Sequence, residues 1–171
     1  MNKFEIRKAL IEDAYERAVC HVSSWRSAYK GIVPDEYLDN LSVENRAEKF
    51  KRQLQELTNV LFYNAVYENK IIGLLGIWKS SGEDKPNTGE IGGIYLIEEF
   101  WGKGYGREMM NFAINTLKNM GYNEINLWVL EDNIRARKFY EKCGYVFDGT
   151  KKEIIIGKPL IEIRYTLNLQ I

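Results

Sequence analysis

Two stretches of this chain carry residue types at spacings that can do chemistry. The first is Glu98-Glu99-Phe100-Trp101-Gly102-Lys103-Gly104-Tyr105-Gly106-Arg107. Glycines at alternate positions let the backbone turn sharply and let a ligand approach its N–H groups. A helix is predicted to run from Lys103, and its first turn adds unpaired donors and the positive end of a dipole. That combination suits a phosphate or pyrophosphate, and Lys103 and Arg107 add charge. Two nucleotide motifs fail on spacing. G-x-G-x-x-G requires a glycine where Arg107 stands, and a P-loop requires Ser or Thr where Gly104 follows Lys103. An ordinary nucleotide-binding module is therefore disfavoured. Taken alone, the loop is explained equally well as a tight turn with no ligand.

The second stretch runs from Glu131 to Tyr145. Asn133 and Tyr140 are seven residues apart, two helical turns, and share one side of a helix. Asn133 can cap that helix and also hydrogen-bond a ligand amide. Tyr140 offers a phenol beside it. The plainer alternatives are a cap and a core aromatic.

The elements that must position these residues can be read from periodicity. Phe4-Glu5-Ile6-Arg7 alternates as a strand. Ala14, Ala18, His21/Val22 and Trp25 recur at helical spacing from Asp13, and Gly31 closes the helix. Short helices follow over Asp35–Asp39 and from Ser42 to about Glu56. Val60–Tyr67 and Ile71–Trp78 are rich in β-formers around the turn Glu68-Asn69-Lys70. A third strand, Thr88 to Ile97, holds Gly92-Gly93, which favours a bulge. Lys103 to Met120 is a long amphipathic helix closed by Gly121, and Glu124–Leu130 is the next strand. A helix then ends at Cys143-Gly144, and the strands Tyr145–Ile156 and Leu160–Leu169 flank Gly157-Lys158-Pro159. The strand–helix–strand unit over 88–130 requires a crossover, which makes its two strands parallel.

Composition narrows the function classes. The chain has 171 residues, 24 basic and 24 acidic, so no bulk electrostatic partner is expected: no nucleic acid and no membrane surface. Residues 1–100 hold 13 basic and 16 acidic residues and residues 101–171 hold 11 and 8, so a small anion is expected on the C-terminal half. The single histidine, His21, and the widely separated Cys20 and Cys143 exclude a multi-histidine or cysteine metal site. The longest apolar run, Ile71–Trp78, is too short to span a bilayer, and the N-terminus lacks a signal-peptide pattern. A single domain over residues 1–171, in the cytoplasm, is expected.

Trp101-Gly-Lys-Gly-Tyr-Gly106, followed by Asn133-Ile-Arg-Ala-Arg-Lys-Phe-Tyr140-Glu-Lys-Cys-Gly, resembles the GCN5-related N-acetyltransferase (GNAT) superfamily. The resemblance covers nearly the whole chain. Trp25-Arg26 through Pro34 also looks like the first helix and loop of a small bacterial subgroup. Trp101 departs from the usual Gln or Arg, which removes one side-chain contact and leaves the backbone cradle intact.

The resemblance implies a mixed α/β fold: about seven mostly antiparallel strands, one parallel splayed pair, and flanking helices. It implies acetyl-CoA as co-substrate, no metal, and a small-molecule or peptide amine as acceptor, in a monomer or homodimer. The pyrophosphate would lie on the N–H groups of Lys103 to Arg107, including Gly104, Tyr105 and Gly106, beside Gly102. The pantetheine arm would add to the edge of Ile94-Tyr95-Leu96, with a backbone N–H near Ile94 polarising the thioester carbonyl. Asn133 and Tyr140 would face the cofactor, and Tyr140 matches the family's general acid. Glu90 is the candidate base; an exposed strand-start residue is its equal alternative. Trp25 and Tyr29, one turn apart, are candidates for the acceptor site, with a core stripe as the alternative. Phe139 and Trp128 are expected in the core. A catalytically silent acyl-CoA sensor on the same fold is the rival function.

Overall fold

The structure, a computed structural model, describes residues 4–169. Seven strands form one sheet: β1 (Phe4–Lys8), β2 (Val60–Tyr67), β3 (Lys70–Lys79), β4 (Thr88–Leu96), β5 (Glu124–Leu130), β6 (Val146–Ile155) and β7 (Pro159–Asn168). Their order across the sheet is β1-β2-β3-β4-β5-β7-β6. Only β4 and β5 pair in parallel, joined by the crossover helix α4 (Tyr105–Asn119). Three helices lie between β1 and β2: α1 (Ala14–Ala28), α2 (Asp35–Asp39) and α3 (Val43–Glu56). The last, α5 (Ile134–Lys142), links β5 to β6.

The core explains the pattern of small residues. On one face Met109, Met110, Ala113 and Leu117 of α4 are fully buried against Ile72, Ile91 and Ile125 of the sheet. Gly73 and Gly89 admit that helix: a Cβ on Gly89 would stand 2.6 Å from Leu117, and one on Gly73 3.0 Å from Met109. On the other face Ala14 and Ala18 of α1 meet Val66, Ile71 and Leu74, with Phe50 of α3 closing the layer. Burying alanines lets α1 lie close to the strands, so its C-terminal turn reaches β4.

Two boundaries differ from the periodicity. Asp13 precedes α1 but does not cap it. Its carboxylate accepts from both terminal nitrogens of Arg7 (2.7 and 2.8 Å), from the Leu10 N–H (2.7 Å) and from Asn64 Nδ2 (2.8 Å), tying β1 and β2 to the helix start. Helix α4 starts two residues later than predicted, because Gly104 takes φ +93°, a left-handed conformation that α-helix cannot contain. Ser42 and Asn133 do cap their helices, accepting from Asn45 N (3.1 Å) and Ala136 N (3.2 Å).

The feature that makes a site is where β4 and β5 part. They pair from Thr88↔Glu124 to Ile91↔Leu127 and no further. Beyond that point Gly93–Leu96 pairs only with β3, and Trp128–Leu130 only with β7. The divergence begins at a bulge: the β3–β4 register skips Gly92 between Gly76↔Gly93 and Ile77↔Ile91. A Cβ on Gly92 would fall 1.5 Å from the Trp78 ring, so this position accepts only glycine. The Gly92-Gly93 bulge expected from sequence is present.

Candidate active site

The gap between the splayed strands is a cleft of about 510 Å³. Its central wall is the free edge of β4. Ile97 N–H bonds to Ile72 O across β3 (2.9 Å). Antiparallel pairing alternates direction, so Tyr95 also turns its backbone groups to β3 while Ile94 and Leu96 turn theirs into the cleft. Apart from the Leu96 carbonyl, which the Trp101 indole holds, these groups have no strand partner, and such an edge in a lined cavity is a place for an amide-bearing chain to add.

The glycine loop closes one end. Residues Glu98–Phe100 form a short 3-10 turn, and Trp101 folds back so that its indole N–H donates to Leu96 O at 2.8 Å. Gly102 and Gly104 both take positive φ, +72° and +93°. Among the described residues the N–H groups of Gly102, Lys103, Gly104, Tyr105 and Gly106 meet no protein acceptor. The Arg107 N–H was expected in the same cradle but is turned into the helix, bonded to Gly104 O at 3.0 Å. The cradle therefore sits one residue earlier than the sequence indicates. Gly106 packs against Phe139, where a Cβ would lie 3.6 Å from the ring, so α4 and α5 meet beside it. Arg107 and Arg135 bring two cations to this end. Arg135 stacks on Trp101 with its guanidinium carbon 3.4 Å from the ring centre, and burial lowers its pKa. Open N–H donors, a helix start and two guanidinium groups fit a diphosphate, and the free β4 edge fits the amide-bearing arm of coenzyme A.

The opposite end is built differently. Glu90 on β4 and Glu162 on β7 both line the cleft. Glu90 accepts from Ser80 Oγ (3.4 Å), and Ser80 in turn accepts from Asn126 Nδ2 (2.9 Å). Burial pushes the Glu90 carboxyl above the usual glutamate range, and the charge of Glu162 adds to that. The Trp78 and Ser80 side chains and the Lys152 charge work against it. Lys152 bridges to Glu162 (3.3 Å) and lies 3.9 Å from the centre of the Trp128 ring. This end carries more negative than positive charge, while the loop end is positive.

Tyr140 is 9% exposed and lines the same cleft from α5; burial raises its phenol pKa well above 10. It feels the Tyr95 and Arg135 side chains electrostatically. Asn133 is buried at the start of α5, its side-chain oxygen spent on the cap, so its amide nitrogen is what remains for a ligand. From the C-terminal end of α1, Trp25 and Tyr29 enter the cleft with rings packed edge to face (4.8 Å), and Tyr95 lines it beside them.

The structure thus brings Glu90, Ile94, Tyr95, Leu96, Gly102, Gly104, Gly106, Arg107, Asn133, Tyr140, Trp25 and Tyr29 around one cavity. Lys103 and Tyr105 stand just outside it. The Lys103 ammonium rests over Phe100 (5.4 Å), and Tyr105 packs its ring on Phe4 and Tyr67. Of two side chains expected in the core, Phe139 packs against it and also lines the cleft, while Trp128 lines the cleft instead. His21 lies close by, its ring 5.1 Å from those of both Trp25 and Tyr95. Burial drives its pKa down to about 3, which makes it a neutral packing group. Sequence reasoning missed Glu162, Lys152 and Arg135. Glu162 and Lys152 sit on alternating strands whose pairing register places them together, a long-range fact without a local signal.

Comparison with known proteins agrees with this geometry. Residues 22–145 match the model of the acetyltransferase (GNAT) family. The chain belongs to that family. It is 30% identical over 128 residues to an uncharacterized N-acetyltransferase of Bacillus subtilis, covering 75% of this chain and 72% of the relative. It is 28% identical over 150 residues to a spermidine N(1)-acetyltransferase of Thermoplasma acidophilum, covering 85% and 90%. The crystal structure of the PaiA N-acetyltransferase of T. acidophilum in complex with coenzyme A superposes with a TM-score of 0.75 at 26% identity, covering 96% of this chain and 98% of that one. This GNAT chain is an acetyl-CoA-dependent N-acetyltransferase. No helix among its described residues is long and apolar enough to cross a membrane. Among the same residues no cluster of three His, Cys, Asp or Glu is placed to hold a metal.

Proposed function

We propose that this enzyme acetylates a primary amine of a small polycationic acceptor, of the polyamine class, by direct attack on the thioester of acetyl-CoA. The observation that carries this reading is the cleft's polarity: a cationic backbone cradle at one end, two carboxylates and an indole face at the other, and a free strand edge between. Glu90 and Glu162 suit ammonium groups, and a spermidine N(1)-acetyltransferase stands among the relatives.

In this reading the Gly102–Gly106 N–H groups take the diphosphate, and the Ile94 and Leu96 edge aligns the arm. An alkylammonium has a pKa near 10.4, so freeing its lone pair at pH 7 costs about 4–5 kcal/mol. Glu90 receives that proton, directly or through water, and its raised pKa makes it a better base than an exposed glutamate. The nitrogen forms its bond to the acetyl carbon while a β4 N–H near Ile94 steadies the developing oxyanion. The carbon–sulfur bond then breaks, and the second proton of the attacking nitrogen passes through water to the departing thiolate, leaving the amide and the free thiol. Tyr140, held protonated by burial, keeps its O–H against the sulfur as charge develops there. A phenol above the thiol's pKa of about 8.5 gives up its proton uphill, so its role is to hydrogen-bond the leaving group.

Free-thiol release from acetyl-CoA in the presence of spermidine, 1,4-diaminobutane, amino acids and a lysine peptide tests this directly. Polyamine-dependent release is expected. Coenzyme A binding without turnover on any amine would overturn it in favour of a silent acyl-CoA sensor.

A further inference from the structure

At the acceptor end an alkylammonium is already in place. Lys152 and Glu162 face each other across β6 and β7. The Lys152 Nζ lies 3.3 Å from Glu162 Oε2 and 3.9 Å from the centre of the Trp128 ring, and its charge acts on Glu90. Carboxylate plus indole face is a recognised way to hold an organic cation. Its neighbour Lys151 points to the other side of β6 and pairs with Glu131 (2.5 Å), outside the cleft, as alternation along a strand requires. The side chain of Lys152 is 46% exposed. The lysine end of this ion pair and cation–π contact is exposed to water, which weakens both, so this ammonium is held loosely enough to leave its half-buried partners.

We infer that Lys152 is an internal stand-in for substrate, filling a cation subsite made by Glu162 and Trp128 and displaced when an acceptor brings a second positively charged nitrogen. A lysine side chain is four methylenes ending in an ammonium. The molecule 1,4-diaminobutane is the same arm with an ammonium at both ends. One nitrogen of such an acceptor loses its proton toward Glu90 and reacts. The other stays charged and takes the place of Lys152 on Glu162 and Trp128. With Lys152 swung out, two carboxylates face the acceptor, so the subsite selects diamines over monoamines. The pairing of β6 with β7 fixes where the subsite lies, and hence how far the second charge must stand from the reacting nitrogen.

This inference rests on the amine-acceptor reading of the cleft, and its tests separate the two. Lys152→Met keeps the stem and removes the competing charge. It should lower KM for 1,4-diaminobutane about tenfold and leave KM for butylamine within twofold, while any change in kcat that reaches Glu90 through the lost charge is shared by both amines. Lys152→Arg should behave like the wild type, and Glu162→Gln should raise KM for the diamine but not for butylamine. A second readout needs no turnover: labelling of the wild-type protein with succinimidyl acetate, without coenzyme A, mapped by mass spectrometry. Adding 1,4-diaminobutane, which consumes reagent for every lysine alike, should raise the labelling of Lys152 relative to Lys151 in the same sample. An unchanged or raised diamine KM in Lys152→Met, or a Lys152-to-Lys151 labelling ratio that diamine leaves unmoved or lowers, overturns the subsite even if acetyl transfer is found. Diamine-dependent labelling in a protein that acetylates no amine would leave the subsite standing and remove the transfer reading.

Discussion

The Trp101 indole N–H donates to the Leu96 carbonyl at 2.8 Å, so the glycine loop is fastened to the strand edge that it must serve. The same ring lies 3.4 Å from the Arg135 guanidinium carbon. Trp101 therefore links three parts of the cofactor end: β4, the loop and the start of α5. The tryptophan that departs from the family's usual Gln or Arg is thus a positioning residue. Trp101→Ala should raise KM for acetyl-CoA about tenfold, equivalent to roughly 1.4 kcal/mol, and change kcat less than threefold. Steady-state kinetics with acetyl-CoA as the varied substrate decides it; a fall in kcat alone would place Trp101 in the chemistry.

Gly104 tests the cradle itself. Its φ of +93° costs an L-residue about 1–2 kcal/mol, and nothing lies within 4 Å of a Cβ built there. Gly104→Ala should therefore keep the fold and weaken coenzyme A binding modestly. Gly104→Glu adds a negative charge beside the diphosphate and should abolish binding. Calorimetric titration with coenzyme A, alongside a melting curve to verify folding, separates the two. Undiminished binding by Gly104→Glu would put the diphosphate elsewhere.

Tyr140→Phe removes one hydroxyl from a ring that is otherwise packed among Phe139, Tyr145 and Tyr165. The ring contacts survive, so stability should shift little. Turnover should drop about 10²- to 10³-fold, the range for removing one hydrogen-bond donor to a developing negative charge, while acetyl-CoA affinity stays nearly unchanged. Equal turnover in the two proteins would remove Tyr140 from the leaving-group role.

Much of this was legible locally. Gly102, Gly104 and Gly106 show the loop, Gly92-Gly93 the bulge, and Asn133 with Tyr140 the facing helix, because each signal lies within a few residues. The start of α4 was misread because periodicity does not report that Gly104 is left-handed. Trp128 reads as core because it sits in the apolar run Leu127–Leu130 of β5, and only the loss of β4 as its neighbour after Leu127 opens it to the cleft. Glu162 and Lys152 were invisible for a related reason: each is an ordinary charged residue on an alternating strand until the β6–β7 register sets them opposite each other.

Glu90 makes a prediction on two axes. Burial raises its pKa, so the acid limb of kcat/KM should fall as pH drops through a value above the ordinary glutamate range near 4.3. Glu90→Gln should lower turnover and remove that limb. The stability axis has a definite sign. The folded pKa is raised, so the neutral acid is favoured in the fold below the unfolded pKa, and that advantage is lost as pH rises through the folded one. Glu90→Gln should therefore melt higher than wild type at pH 8 and about equally at pH 4. A lower melting temperature at pH 8 would mean the carboxylate is well solvated and a poor base.

His21 gives the opposite sign and serves as the control for that profile. Its folded pKa of about 3 lies below the unfolded 6.5. The neutral ring's contribution is fully present above pH 6.5 and is lost as pH falls, at about 1.4 kcal/mol per unit, because the unfolded chain takes up a proton that the fold refuses. Arg17, Arg46 and Lys49 add to that refusal. His21→Phe keeps an aromatic ring beside Trp25 and Tyr95. The difference in unfolding free energy between variant and wild type, measured by urea titration at pH 4, 5, 6 and 7, should move in the variant's favour at each step down, while the acid limb of kcat/KM stays where Glu90 puts it. Parallel stability curves would show that the ring ionises freely within the fold. A shifted activity limb would make His21, rather than Glu90, the group that governs the acceptor's proton.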